Sequence, residues 1–100
     1  MSREEISAGI EAFRPFVRKC YEKTLKDFPD ASGTINLAFT MESQDGKGQV
    51  FMSEIGENTT LFDDALHDCL LYQISEVDFD LSTPDGHQVY VRYPFTFASE

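Results

Sequence analysis

Apolar positions in the first quarter of the chain recur at spacings of three and four, which indicates an amphipathic helix. Ser2 and Glu5 have the spacing of a capping box at its start. Pro15 interrupts the pattern, so we expect a kink near Ala12 or a second helix that starts at Pro15. The segment 27–30 contains another proline and predicts the end of the helical region. The apolar stripe consists of Ile6, Ile10, Phe13, Val17, Cys20, Tyr21, Leu25 and Phe28.

From Gly33 onward the apolar period changes to two, which is typical of half-buried strands. The glycine-containing turn at 44–48 and the returning strand Val50–Ile55 complete a predicted hairpin. Segment 56–60 breaks the chain again, and a second helix is predicted over about Phe62–Ser75, with acidic residues at its electropositive start. The apolar stripe of this helix consists of Leu66, Cys69, Leu70 and Ile74.

The last strand is predicted over His87–Phe97, after a turn at 83–86. Pro94 has no N–H group to donate to a ladder, so this strand should lie at a sheet edge there, or bulge. The short alternation of apolar residues over 77–81 is not counted as a strand. The element order is then α-β-β-α-β. We predict an α+β fold in which two helices pack on one face of a three-stranded antiparallel sheet.

The chain carries a formal charge of −10 over 100 residues, and this charge is unevenly distributed. Residues 1–26 contain six Lys and Arg and four Asp and Glu, whereas residues 27–91 contain thirteen Asp and Glu and a single Lys. Nucleic acid and anionic membranes are disfavoured partners, because both are bound by clustered Lys and Arg. A basic or neutral protein, or an extended peptide, fits better, unless the charge serves only solubility. The length predicts one domain, residues 1–100, with its core at about 10–98.

The residues with chemical potential do not combine into a recognisable catalytic site. His67 is two residues from Cys69 on one helix, so the two side chains point to different sides. In the cluster of Asp63, Asp64, His67 and Asp68, Asp64 could share a metal with His67 or Asp68, but an acidic first turn that complements the helix dipole explains the cluster more simply. We therefore predict no enzymatic activity, no cofactor and no metal site.

Several motifs, taken in order, resemble the TonB C-terminal domain, and most closely the AgmX/PglI-type C-terminal domain of myxobacterial envelope proteins. The resemblance spans about residues 10–98. It rests on Cys-Tyr-Glu at 20–22, Ser-Gly-Thr-Ile at 32–35, Asp-Gly at 45–46, Leu-Phe-Asp-Asp-Ala-Leu at 61–66, Cys69, and Tyr-Pro-Phe-Thr-Phe at 93–97. Where the family has arginines late in the second helix, this chain has Gln73, Ser75 and Glu76.

The resemblance implies a non-catalytic, TonB-like or gliding-motility-type module that binds an extended partner by strand addition at its last strand. The expected contact residues are Val89, Tyr90, Val91, Arg92 and Tyr93, of which Tyr90 and Arg92 should face outward. Two alternatives remain: a homo-oligomeric assembly module, including a homodimer through the edge strand, and a cytoplasmic adaptor.

The resemblance also implies a disulfide between Cys20 and Cys69 in an oxidising envelope compartment, with two buried free thiols as the alternative. The expected location is periplasmic if the chain is part of a larger anchored protein, and cytoplasmic otherwise. No apolar run reaches the roughly 18 to 20 residues that cross a bilayer, so we expect no membrane insertion by this segment.

Overall fold

The computed structural model describes residues 3–98 and has an α+β fold. Its four strands form one antiparallel sheet in the order β3-β2-β1-β4, which places β4 at an edge, as Pro94 predicted. The elements are α1 (Arg3–Asp27), β1 (Gly33–Gln44), β2 (Lys47–Ile55), α2 (Asp64–Ser75), β3 (Asp78–Asp80) and β4 (Gln88–Phe97).

The prediction of three strands was wrong, because β3 is a fourth strand that pairs with the start of β2. Three residues are too few for a period of two to be recognised, and β3 depends on the tertiary burial of Phe79, which is 0% exposed. Gly9 of α1 permits this burial. A Cβ atom at Gly9 would lie 2.1 Å from Cδ2 of the Phe79 ring, so only glycine fits against the ring.

Of the two alternatives predicted for the first helix, a second helix that starts at Pro15 was wrong, because α1 runs unbroken from Arg3 to Asp27. Pro15 removes one helical hydrogen bond, to the carbonyl of Glu11. Both residues lie on the exposed side of the helix, where water can hydrate that carbonyl. On the opposite side the buried stripe from Ile10 to Tyr21 continues past the proline, and its packing holds the helix together.

The β1–β2 hairpin has the predicted location and a tighter turn than expected. Gln44 pairs with Lys47, so the loop contains only Asp45 and Gly46. Their φ angles of 52° and 79° lie in the left-handed region that two-residue hairpins with twisted strands require. The register shifts opposite the Thr40–Met41 step, which leaves Phe51 of β2 without a partner.

Both helices pack on the same face of the sheet, as predicted. Alternate residues of β1 from Ile35 to Met41 are buried against them. The rings of Phe13 and Phe95 meet edge to face at 5.8 Å, which joins α1 to β4. Asp63 caps α2, since its Oδ1 accepts a hydrogen bond from the Leu66 N–H at 2.8 Å.

Candidate partner-binding edge

The outer side of β4 is the longest unpaired strand edge in the described part of the chain. β4 pairs with β1 over ten positions, and no strand within residues 3–98 lies on its other side. An unpaired strand presents a row of N–H and C=O groups that another chain can use. We call this side of β4 its free edge.

The ladder between β1 and β4 shows which main-chain groups point to the free edge. Ser43 donates its N–H to the carbonyl of His87 at 2.9 Å, in the same register as the β1–β4 pairs. Hydrogen-bonded pairs alternate along an antiparallel ladder, so the odd-numbered residues of β4 bond to β1. The even-numbered residues, from Gln88 to Thr96, therefore direct their main-chain groups outward. Pro94 belongs to this set, and its missing N–H leaves a gap in the outward donors.

Only part of the predicted contact set is accessible on β4. Val89 and Val91 are buried, at 7% exposure each, and their main-chain groups bond to β1. Tyr90 is 59% exposed and Arg92 is also exposed, so both present side chain and main chain to a partner. Tyr93 is half-buried on the helix side of the sheet. The period of two in the sequence thus identified the strand, but only its even-numbered residues are available to a partner.

Arg14 of α1 contacts the side chain of Tyr93. The Arg14 Nη2 group donates a hydrogen bond to the Tyr93 hydroxyl at 2.7 Å, and its guanidinium carbon lies 5.7 Å from the ring centre. Arg14 also forms an ion pair with Glu11 at 2.9 Å. The hydrogen bond that Arg14 donates to Glu11 is the main cause that raises the pKa of Arg14 above its usual range, and Tyr93 adds to it. The guanidinium is therefore a fixed positive charge beside β4.

The sheet face opposite the helices, which we call the open face, carries apolar side chains that the sequence analysis did not select. Met52 of β2 and Tyr90 of β4 stand on either side of Ala38 and Thr40 of β1. Together they border a shallow groove of about 100 Å³. Met52 is 63% exposed and Phe51, at the bulge, is 49% exposed. The signal in the sequence was three consecutive apolar residues, Val50 to Met52, where alternation of apolar and polar residues is expected.

The two cysteines predicted to pair lie together between the helices. Their Sγ atoms are 2.03 Å apart, at disulfide-bond distance, and their Cα atoms are 5.8 Å apart. Cys20 is on α1 and Cys69 on α2, so a bond would tie the C-terminal half of α1 to α2. The redox state in the cell stays a prediction, which counting of free thiols would test.

The acidic cluster at the start of α2 has structural hydrogen bonds. Asp63 caps the helix, and Nε2 of His67 lies 2.8 Å from the carbonyl oxygen of Leu61. Within residues 3–98, no group of three or more His, Cys, Asp or Glu side chains has an arrangement that could hold a metal ion. Neither helix of this region is both long and apolar enough to span a bilayer.

Comparison of the chain with protein-family models, with curated proteins and with solved structures returned no match. The similarity to the TonB C-terminal domain therefore stays a prediction from the sequence motifs.

Proposed function

We propose that this domain is a non-catalytic protein-binding module that takes up an extended segment of a partner as an additional strand along the β4 free edge. The observation that carries the proposal is the ten-residue edge strand with outward main-chain groups from Gln88 to Arg92. Main-chain hydrogen bonds would supply affinity, and the flanking side chains would supply specificity. The module would belong to an envelope-associated, TonB-like or gliding-motility-type protein.

The position of Pro94 favours one part of the edge. Gln88, Tyr90 and Arg92 each offer an outward N–H and C=O, whereas Pro94 offers only a carbonyl. A partner strand can thus make its regular hydrogen bonds with residues 88–92 and loses one donor at the next position. The bound segment should be centred near Tyr90.

The test uses peptides selected from a displayed random library against the whole chain, followed by amide chemical-shift mapping. Shifts should concentrate on residues 87–97. Shifts confined to α1 or α2 would contradict strand addition at β4.

An N-methyl scan of a bound peptide provides a sharper readout. Methylation of a peptide N–H that faces β4 removes a main-chain hydrogen bond and places a methyl group against the edge. Methylation of the adjacent N–H leaves the edge untouched. Affinity should therefore fall at every second position, by tenfold or more, and hardly change at the positions between. A loss without this period of two would argue for a different binding mode.

A second candidate function is homodimeric assembly through the same edge, and the register of β4 favours one geometry. A two-fold axis at Tyr90 would pair Gln88 with Arg92 of the second copy and move Pro94 to the end of the ladder, opposite Gly86. An axis at Arg92 would instead place two guanidinium groups opposite each other, which is unfavourable. The Tyr90-centred arrangement is thus the one to test.

Sedimentation equilibrium over a concentration series tests this second candidate. Tyr90→Lys would place two positive charges across the axis and weaken a dimer several-fold. Met52→Lys is the matched control, because Met52 also lies exposed on the open face but two strands from the edge. A monomer at all concentrations, or equal effects of both substitutions, would exclude the Tyr90-centred dimer.

A further inference from the structure

A groove lies between the middle of α1 and the last residues of β4, on the helix side of the sheet. Its volume is about 240 Å³. Arg14 and Arg18, one helical turn apart on α1, form one wall, and Val17 and Phe95 lie at its apolar base. Thr96, whose main-chain groups face outward, lies at the strand side. We call this feature the arginine groove.

The arginine groove is the positively charged part of an otherwise acidic molecule. Residues 11–26 contain five basic side chains, Arg14, Arg18, Lys19, Lys23 and Lys26, against Glu22 and Glu11, the second of which pairs with Arg14. No carboxylate lies among the described residues that line the groove. Arg18 makes no ion pair or hydrogen bond with another side chain in the described region, so its guanidinium is available.

Arg14 differs from Arg18 in that its guanidinium is already held in position by neighbouring side chains. Glu11 and Tyr93 hold its guanidinium in one orientation, yet its side chain remains 45% exposed. A guanidinium that is already positioned loses little conformational freedom on binding, and its planar fork matches the two oxygens of a carboxylate. The two arginines together therefore suit a carboxylate better than a neutral side chain.

We propose that the arginine groove receives an Asp or Glu side chain of the segment that adds to β4, so that the partner is an acidic extended segment. This inference rests on the proposed function. Main-chain pairing is regular up to Arg92 and loses a donor at Pro94, and the side-chain recognition by Arg14 and Arg18 begins at that level.

The strand geometry fixes where the carboxylate must lie. Partner residues opposite the even-numbered residues of β4 face the open face, and those opposite the odd-numbered residues face the helices. The groove is on the helix side and is lined by both Phe95 and Phe97, of which Phe95 is the nearer in the strand to Tyr93, the residue that Arg14 contacts. The acidic residue should therefore lie opposite Phe95, three residues beyond the one opposite Arg92. Moved by one residue, it would face the open face instead.

The experiment begins with a peptide that was selected from a random ten-residue library and mapped to residues 87–97 by amide shifts. Its acidic residue is replaced by Gln in one variant and exchanged with its neighbour in a second. We expect both variants to bind about five- to tenfold more weakly, as charge-assisted hydrogen bonds of this strength imply. Fluorescence anisotropy measures the affinities.

Substitutions in the protein supply the matched comparison. Arg18→Gln should abolish the difference between the Glu and Gln peptides. Lys19→Gln should preserve it, because Lys19 carries the same charge on the adjacent helical position but lies outside the groove, near the Phe16 ring. The affinity difference should also shrink at 0.5 M salt, since partly exposed charges are screened.

The outcomes separate the two proposals. If no selected peptide shifts the amides of residues 87–97, strand addition at β4 is wrong. If peptides bind there but carry no acidic preference, or if Glu and Gln peptides bind equally, only the carboxylate site is wrong. Equal effects of Arg18→Gln and Lys19→Gln would likewise overturn it, because they would show a response to overall charge and not to the groove.

Discussion

The two edges of the sheet differ in length, charge and cover. β3 at one edge has three residues, and its exposed side chains are the acidic Asp78 and Asp80. β4 at the other edge has ten residues with a regular row of outward main-chain groups. Short length and charge are common means by which proteins prevent unwanted pairing at a strand edge. β3 pairs only with Lys47–Gln49 of β2, so within residues 3–98 the outer side of β2 beyond Gln49 also has no strand partner, and β4 is the longer of the two unpaired edges.

The same helix borders both edges in different ways. The N-terminal half of α1 presses Gly9 onto Phe79 of β3, and a groove of about 340 Å³ beside this contact is lined by carboxylates of both elements, among them Glu4, Asp78 and Asp80. The middle of α1 presents Arg14 and Arg18 beside β4 and leaves the arginine groove open. One helix thus places carboxylates beside one edge and arginines beside the other.

The largest expected effect comes from removing the Phe79 ring, which anchors β3. Phe79→Ala should lower the free energy of unfolding by about 3 to 5 kcal/mol, because a fully buried aromatic ring is lost and a cavity remains. Urea denaturation measures the change. Phe62→Ala is the matched control, since Phe62 is 78% exposed and its loss should cost under about 0.5 kcal/mol.

Should Phe79→Ala fail to fold, Phe79→Leu keeps most of the volume and should cost about 1.5 kcal/mol or less. A Phe79→Ala protein as stable as the Phe62→Ala protein would show that β3 is not anchored by its ring.

The next largest effect should come from removing the Cys20–Cys69 disulfide, which ties α1 to α2. Replacing Cys20 and Cys69 together by Ala should lower the free energy of unfolding of the oxidised protein by about 2 to 4 kcal/mol, because the sequence separation of 49 closes a long loop. Urea denaturation with and without reductant measures it. Reductant should destabilise the parent protein and leave the double variant unchanged; two reactive thiols in the native, unreduced parent would contradict the bridge.

A smaller effect should follow from restoring the missing donor at the free edge. Pro94→Val adds an outward N–H to β4, so a peptide that extends past Arg92 gains one main-chain hydrogen bond, worth about 0.5 to 1.5 kcal/mol. We expect its affinity to rise about two- to tenfold, and anisotropy titration measures this. A short peptide that ends opposite Arg92 is the control and should bind as before. Tighter binding of both peptides would assign the effect to strand stability and not to the edge.

The smallest effect is expected at the β3 edge of the sheet, where Lys47 of β2 forms an ion pair with Asp80 of β3. The hydrogen bond to Asp80 is the main cause that raises the pKa of Lys47 above its usual value. The pKa of Lys47 is higher in the folded protein than in the unfolded chain. The ion pair therefore stabilises the folded protein at neutral pH, and this stabilisation is lost as the pH rises through the folded pKa. Lys47→Gln should lower the melting temperature slightly at pH 7 and have no effect well above pH 10.5. Salt should reduce the effect at pH 7.

The elements with long, regular periods were predictable from the sequence. The stripe from Ile10 to Tyr21, the alternation from Ile35 to Met41 and the Asp45–Gly46 turn each combine local preference with burial, and each lies where it was expected. β3 escaped prediction because three residues carry too little pattern. Its existence depends on a ring and a glycine that are seventy positions apart in the sequence, Phe79 and Gly9.

The candidate site was predictable in the same partial way. Pro94 identified β4 as an edge strand because a missing N–H is a local property. The predicted contact residues included buried as well as accessible positions, since Val89 and Val91 share the strand with Tyr90 but face the core. Arg14 and Arg18 were not selected at all, because their relation to β4 arises only when α1 packs across the sheet.

The amino-acid sequence by itself determined the helices, the hairpin and the edge position of β4, because hydrophobic period, turn chemistry and the absence of a proline N–H act over a few neighbouring residues. Tertiary structure alone decided which edge lies beside the carboxylates of α1 and which lies beside its arginines. That difference depends on where a single helix meets β3 and β4, and such long-range contacts leave no periodic trace in the chain.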